Sequence, residues 1–355
     1  MLRPEAIAFI STLILIPIIS RICVRWRLYD SVGALKIHSK PIPRLGGVAI
    51  TLAFAAGIGF SGHLSQTHVW PFFAALFLIW TAGLADDIWH LSPMLRFAAQ
   101  IGGGILLWSG GCRLPWLPPG SANLAAVCLL TVLFINCFNF LDGSDGLCAG
   151  VAGIIAAAYL MFPGFTLSLV GTTVAWSLLG VCFGFLVSNF PPAGIFMGDS
   201  GSTVLGFGIA FLAFDFYRAN ALGEHRLALA FPLLTAALPL LDGILAVLRR
   251  LHSRHSLSLG DRRHFYDLLL GLMWSPRRVA LTTYALTTGM CIIAWLVLRS
   301  DFTPAFLLCA ATIGALVVAA LRLGSLRMNE KLGPHFDQRN MEDGGRSLRN
   351  VLRSD

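Results

Sequence analysis

Residues 122–147 have the sequence ANLAAVCLLTVLFINCFNFLDGSDGL, in which a long apolar run ends in a cluster of polar side chains. The run is long enough to form a membrane helix, and its end carries two amides, two carboxylates and two glycines between Asn136 and Gly146. Carboxylates at a bilayer boundary are costly, and they usually face a cavity or a cation. This stretch therefore predicts a membrane protein with a functional site at the end of a helix.

The composition of the whole chain favours the same class. Of the 355 residues, 56% are hydrophobic and 12% are charged, and the mean hydropathy is +0.74. Because backbone groups inside a bilayer must bond to each other, the spans must be helices or a closed barrel, and the runs lack the alternation of a barrel. We predict an all-α polytopic membrane protein. Its eight scattered cysteines are typical of small buried apolar residues.

Eleven apolar runs predict about 10–11 transmembrane helices. Their approximate cores are residues 5–23, 46–60, 70–85, 97–110, 122–139, 147–163, 168–188, 201–216, 227–248, 279–298 and 304–321. The first run lacks a basic flank and a cleavage site, so we interpret it as a retained helix and not as a signal peptide.

The positions of Lys and Arg predict the orientation. Most of them lie in the loops 21–44, 86–96 and 249–278 and in the tail from residue 322, which places the N-terminus outside and the C-terminus in the cytoplasm. We predict one transmembrane domain at 1–321 and a polar cytoplasmic tail at 322–355. The net charge of +8 follows this topology and does not indicate a nucleic-acid partner.

Acidic residues from distant segments lie on this cytoplasmic side. Asp86-Asp87, the 136–147 motif, Asp199 and the 249–278 loop all emerge there, although none of these acids was used to assign the orientation. Their convergence predicts a single site on the cytoplasmic face.

The first acidic element is the pair Asp86-Asp87 at the end of an apolar run. Adjacent carboxylates point to different sides of a helix end, so one can hold a cation while the other accepts a proton. The alternative is a solvated helix terminus.

In the second element, Asn136, Asn139 and Asp142 follow a three-residue spacing and share a helical face. Asp142 and Asp145 could coordinate Mg²⁺ or accept hydrogen bonds from sugar hydroxyls. The alternative is a polar turn that ends a helix.

Asp199 is the third element, in the sequence FMGDSGST of residues 196–203. It could cap the next helix, or it could hold a metal beside an anion bound at that helix N-terminus. Phe196 offers a flat surface to a base.

Two basic elements complete the set. Lys36 and Arg44 lie in a segment with Pro-Ile-Pro and Gly-Gly, which suits phosphate binding or simple anchoring on the cytoplasmic side. Asp261 and His264 lie in the long 249–278 loop. The histidine spacing argues against zinc, and no P-loop is present in the sequence.

Five ordered motifs together resemble the polyprenyl-phosphate N-acetylhexosamine-1-phosphate transferases. They are PIPRLGG at 41–47, DD at 86–87, NCFNFLDGSDGL at 136–147, FMGDSGS at 196–202 and DRRH at 261–264. The resemblance covers residues from about 30 to 280. It implies a multi-pass enzyme of the bacterial inner membrane that transfers a sugar-1-phosphate from a UDP-sugar to a polyprenyl phosphate and releases UMP at the cytoplasmic face. It also implies Mg²⁺, with Mn²⁺ as an alternative ion.

The resemblance implies roles for individual residues. Asp199 is the principal metal ligand with Asp87 as a helper, and Asp86 is the acid nearest the lipid phosphate. The residues expected to bind substrate are Lys36, Arg44, Asn136, Asn139, Asp142, Asp145, Phe196 and His264. Phe196 would stack on uracil and His264 would contact phosphates. Direct attack by the lipid phosphate is favoured, and a covalent intermediate on an Asp is the alternative.

The chain departs from the family pattern after His264. Many bacterial members have further histidines there, where this chain has Tyr266 and Asp267. This favours the branch that initiates O-antigen, capsule or related glycans over the muramyl-pentapeptide branch. UDP-GlcNAc is the expected donor, and other UDP-amino sugars are alternatives. An ion-coupled transporter and a structural scaffold are the competing classes, and a homodimer is compatible with the sequence.

Overall fold

The structure is a computed structural model that describes residues 3–30, 41–62, 69–163, 166–220, 230–252 and 264–322. Lys36, the Asp261–Arg263 part of the basic motif and all but the first residue of the predicted tail at 322–355 lie outside the described residues. The described part of the chain is mostly helical, which confirms the predicted helical membrane protein.

The described residues form thirteen helices and one short antiparallel ribbon. The elements are α1 (Pro4–Trp26), β1 (Tyr29–Asp30), β2 (Ile42–Pro43), α2 (Gly46–Gly59), α3 (Val69–Trp89), α4 (Pro93–Ser109), α5 (Ser121–Leu141), α6 (Leu147–Met161), α7 (Leu169–Asn189), α8 (Asp199–Asn220), α9 (Ala230–Thr235), α10 (Ala237–His252), α11 (Phe265–Gly271), α12 (Pro276–Arg299) and α13 (Phe302–Arg322). The ribbon was not predicted; it forms where prolines favour extended backbone in the segment 41–43.

Six of the described helices are long and apolar enough to cross a membrane: α1, α3, α5, α7, α8 and α12. Shorter apolar helices include α2, α6 and the Thr303–Leu316 part of α13. The chain is therefore a multi-pass membrane protein, while the number of eleven spans and the orientation of the termini stay predictions. The predicted span 227–248 is divided into α9 and α10 around Ala236, because prolines at 232 and 239 interrupt helical hydrogen bonding.

Helix α8 lies at the centre of the bundle. Every residue from Ser200 to Tyr217 is buried, and α8 packs against α2, α3, α5, α6 and α7. Small residues allow this close approach: a Cβ added at Gly206 would lie 2.8 Å from the Ile135 Cα of α5. A Cβ at Gly83 would lie 2.8 Å from the Asp199 carbonyl oxygen, so the end of α3 contacts the beginning of α8. This contact brings the predicted acids together.

Candidate active site

Asp87 holds the N-terminus of α8. Its two carboxylate oxygens accept hydrogen bonds from the backbone N–H groups of Asp199 (2.9 Å) and Ser200 (3.0 Å), and its side chain is 1% exposed. Free N–H groups and the helix dipole favour an anion at this end. A Cβ at Gly198, where φ is +67°, would lie 2.6 Å from the Asp87 Oδ1, so only glycine fits. The carboxylate of Asp87 thus positions α8, while its role as a metal helper stays a prediction.

Arg96 lies between the other two acids. Its Nη1 donates to the Asp86 Oδ2 at 3.1 Å and to the Asp199 Oδ2 at 2.9 Å. Arg96 lies in the first turn of α4, a helix that begins after the N-cap residue Ser92. Arg96 was not predicted as a site residue, although it is the single Arg in the short segment that follows Asp86-Asp87. The structure therefore joins Asp86 and Asp199 through one cation.

The loop after α5 docks onto the segment that precedes α8. The Asp145 Oδ2 accepts the backbone N–H of Ala193 at 3.0 Å. Asn189, a buried residue that sequence reasoning also missed, accepts the N–H of Gly146 at 2.9 Å and donates to the Ile195 carbonyl at 2.7 Å. Asp145 is thereby engaged with the protein backbone.

Asp142 faces a crowded group of negative charges. Burial raises its pKa well above the ordinary value of an aspartate, and the negative charges of Asp199, Asp87 and Asp145 raise it further. A backbone hydrogen bond from Gly198 opposes this rise. A cation placed among these carboxylates would relieve their repulsion.

The two predicted amides differ in their surroundings. The Asn136 Nδ2 donates to the Gln100 Oε1 at 2.6 Å, which links α5 to a buried side chain on α4. Asn139, one turn further along α5, lines the cavity described below.

Phe196 and Arg44 lie in the two segments that pack against each other beside the start of α8. The Phe196 N–H donates to the Pro43 carbonyl (2.8 Å), and the Phe196 carbonyl accepts the Gly46 N–H (2.9 Å). The Arg44 Nη2 lies 3.4 Å from the Asp87 Oδ1. Both residues are thus held beside the α3–α8 junction. The residues that line the cavity include neither of them, nor Asp86, Asp87 or Asp145. Asp86 is linked to the cavity through Arg96, which does line it.

A cavity of about 530 Å³ lies between α3, α4, α5 and α10. Its polar end is lined by Arg96, Asn136, Asn139, Asp142, Asp199, Arg250, His264 and Tyr266. Its apolar wall is lined by Ile79, Phe97, Leu129, Val132, Leu133 and Val247. Leu129, which belongs to this wall, is 67% exposed, so the wall is accessible from outside the packed core. One cavity therefore has both a charged end and an accessible apolar wall.

His264 reaches this cavity from the N-terminus of α11. Its Nδ1 lies 2.6 Å from the Oδ2 of Asp242, a buried residue of α10 that the sequence analysis did not single out. The other oxygen of Asp242 accepts the Phe265 N–H at 2.9 Å. Asp242 thus ties the second turn of α10 to the N-terminus of α11.

The residues present suit a Mg²⁺ ion that relies on its substrate for part of its coordination. Among the described residues, no three Asp, Glu, His or Cys side chains are arranged to hold a metal ion by themselves. Mg²⁺ is usually bound by one or two carboxylates together with waters and substrate phosphates. Asp199 offers one such carboxylate, whereas an ion placed between Asp199 and Asp86 would have to replace the Arg96 guanidinium that bonds to both.

Comparison with known proteins identifies the family. Over 290 residues the chain is 30% identical to the probable undecaprenyl-phosphate N-acetylglucosaminyl 1-phosphate transferase of Bacillus subtilis, covering 78% of this chain and 79% of the relative. The chain belongs to glycosyl transferase family 4. The sequence model of this family matches residues 69–217. The family predicted from the five motifs is therefore confirmed.

Two other relatives show the range of this glycosyl transferase family. The decaprenyl-phosphate N-acetylglucosaminephosphotransferase of Mycobacterium tuberculosis is 32% identical over 80% of this chain and 78% of its own length. The phospho-N-acetylmuramoyl-pentapeptide-transferase of Moorella thermoacetica is 31% identical over 82% of this chain and 96% of its own length. The residues matched by the family 4 sequence model include Asp86, Asp142 and Asp199, whereas Arg44 and His264 lie outside them.

Proposed function

We propose that this chain transfers N-acetylglucosamine-1-phosphate from UDP-GlcNAc to undecaprenyl phosphate, yielding undecaprenyl-diphospho-GlcNAc and UMP. The reaction takes place at the cytoplasmic face of a bacterial inner membrane and begins the synthesis of a cell-envelope glycan. The observation that carries the proposal is the cavity, whose lining combines carboxylates and cations with an accessible apolar wall. A lipid phosphate and a nucleotide sugar need these two environments side by side.

The polar end can perform the transfer with few groups. The lipid phosphate is already nucleophilic, because the second pKa of a phosphate monoester is about 6. Asp86 orients this phosphate and accepts its remaining proton, and Asp142 and Asn139 bind the nucleotide sugar. Asp199, together with the substrate phosphates, would hold Mg²⁺, which would neutralise the diphosphate. No protein nucleophile is required, so we favour direct attack.

A panel of donors tests this proposal. The purified full-length chain is mixed with undecaprenyl phosphate, Mg²⁺ and one UDP-sugar at a time, and released UMP is measured. We expect UMP with UDP-GlcNAc and little with UDP-N-acetylgalactosamine or with the muramyl-pentapeptide nucleotide. Turnover confined to the muramyl-pentapeptide donor would move the chain to the other branch, to which its Moorella relative belongs by name.

Arg96 yields a prediction about charge balance. Arg96→Gln removes the cation that neutralises Asp86 and Asp199, and we expect turnover to fall about 10²-fold, the size of effect that follows the loss of one preorganised electrostatic contact in an active site. The control is Arg113→Gln, since Arg113 packs over the Trp108 ring and does not line the cavity. Equal turnover in both variants would remove Arg96 from the site.

Phe196 yields a prediction about donor binding. Its backbone bonds to the 43–46 segment do not involve the ring, so Phe196→Ala should preserve that segment. Loss of base stacking costs about 1–3 kcal/mol, which corresponds to a rise of roughly 5-fold to 150-fold in the KM for UDP-GlcNAc. The KM for undecaprenyl phosphate serves as the internal control. An unchanged donor KM would exclude the stacking role.

A further inference from the structure

A buried carboxylate and an imidazole form a pair at the edge of the cavity. The Asp242 Oδ2 lies 2.6 Å from the His264 Nδ1, and the two residues are 5% and 3% exposed. The second oxygen of Asp242 is engaged by the Phe265 N–H at 2.9 Å. Asp242 itself does not line the cavity, whereas His264 does. Asp242 can therefore act on a ligand only through the imidazole.

The hydrogen bonding of this pair specifies a tautomer. An ionised carboxylate accepts hydrogen bonds but cannot donate them, so the proton between the pair belongs to Nδ1 of His264. Nε2 is then the nitrogen left for a ligand. It can take the proton of a phosphate group and donate it back as a hydrogen bond, while the charge of Asp242 balances the imidazolium.

The ring is also held on its faces. The centroid of the His264 ring lies 5.6 Å from that of Tyr266, with 5° between the planes, and 5.2 Å from that of Phe140. The guanidinium of Arg250 lies 5.2 Å from the Phe140 ring centroid. These contacts hold His264 in one orientation. Arg250, which packs on the same Phe140 ring, lines the same cavity.

We propose that Asp242 is a positioning residue for the transfer reaction: it fixes the Nδ1–H tautomer of His264 and turns Nε2 toward a phosphate group in the cavity. The phosphate belongs either to the nucleotide sugar or to the lipid acceptor. The nature of this ligand rests on the proposed function, whereas the tautomer does not.

Substitution of Asp242 tests the kinetic consequence. In Asp242→Asn, the single amide oxygen bonds to the Phe265 N–H, the amide NH₂ faces Nδ1, and the tautomer is reversed. We expect kcat/KM to fall about 10²-fold, with partial recovery in Asp242→Glu. A rise in the KM for UDP-GlcNAc assigns the phosphate to the donor, and a rise in the KM for undecaprenyl phosphate assigns it to the lipid.

Two comparisons separate positioning from folding. Asp215→Asn is the matched control, since Asp215 is an equally buried aspartate that accepts the Ser168 N–H at the start of α7 and does not line the cavity. Because Asp215 also bonds to Arg218, its neutralisation should lower thermal stability at least as much, while kcat/KM stays unchanged. Adding Asp242→Asn to His264→Gln should cost nothing further, because the two residues act as a unit. If the loss of kcat/KM in the double variant equals the product of the losses in the two single variants, the proposal is overturned.

Nuclear magnetic resonance identifies the tautomer of His264 without a catalytic assay. The full chain is labelled with ¹⁵N at the histidine rings, and the His264 signals are assigned by their absence in His264→Gln. We expect the shift pattern of a ring that is protonated at Nδ1. A neutral ring protonated at Nε2 in the unmodified chain would overturn the proposal even if the transfer activity is confirmed. If the signals show protonation at Nδ1 but the purified chain has no transferase activity, the proposed function is rejected and the tautomer assignment stands.

Discussion

Asp199→Asn should abolish transfer while leaving the protein folded. We expect turnover to fall by about 10³-fold or more, which corresponds to ~4 kcal/mol of transition-state stabilisation. The backbone of Asp199 is held independently of its side chain, because its N–H bonds to Asp87 and its carbonyl accepts the Thr203 hydroxyl at 2.6 Å. The carboxylate is 25% exposed and bonds to Arg96, so the neutral isostere removes charge and little else.

The assay for this variant is UMP release at several Mg²⁺ concentrations, accompanied by a thermal unfolding curve in the same detergent. Asp215→Asn, at the opposite end of the same helix, is the control that should retain turnover. Near-normal turnover by folded Asp199→Asn at saturating Mg²⁺ would remove Asp199 from the metal site.

Asp87→Asn should lower stability as well as activity. Both oxygens of Asp87 accept N–H groups of α8, and an amide provides only one oxygen, so its NH₂ would face a second donor. Leaving one such buried group unsatisfied costs about 1–3 kcal/mol. The beginning of α8 would then shift and carry Asp199 away from Asp86 and Arg96. We therefore expect a lower unfolding temperature together with a large loss of turnover.

The neighbouring residue supplies the comparison. Asp86 is 15% exposed and bonds to Arg96, so Asp86→Asn should leave the unfolding temperature nearly unchanged while slowing catalysis. If Asp87→Asn were as stable as the unmodified chain and lost only its response to Mg²⁺, Asp87 would be a metal ligand and not the anchor of α8.

The amino-acid sequence was sufficient to predict the helical membrane class and the order of the helices. Apolar runs of about 20 residues, ended by Gly, Pro or acidic residues, mark helices such as α5 and α8 regardless of what packs around them. It was not sufficient for the 227–248 run, which has the hydropathy of one span but is divided by two prolines. The hydropathy profile measures burial in lipid and does not record a lost backbone hydrogen bond.

The acids of the site were visible for the same reason, since a carboxylate at a membrane boundary is rare enough to indicate a function. Their partners were not visible. Arg96, Asn189 and Asp242 are ordinary polar residues whose importance lies in contacts with residues 22 to 103 positions away, as for the bonds of Asp242 to His264 and of Arg96 to Asp199. The different surroundings of Asp86 and Asp87 likewise depend on where α8 begins.

The arrangement of charges also bears on the transporter alternative. A transporter that couples ions usually carries its acids near the middle of the membrane, between two related halves. Here Asp86 and Asp87 lie in the last turn of α3 and Asp199 is the first residue of α8, so these acids lie at helix ends. This position supports an enzyme whose charged substrates stay at the membrane surface.

A mass balance with the purified chain, UDP-GlcNAc, undecaprenyl phosphate and Mg²⁺ tests the proposed transfer. UMP and undecaprenyl-diphospho-GlcNAc are quantified by mass spectrometry in the same samples over time. We predict that the two products accumulate in equal amounts and that both are absent in Asp199→Asn. The proposed transfer would be contradicted if UMP formed without the lipid product. It would also be contradicted if Asp199→Asn formed both products in undiminished amounts.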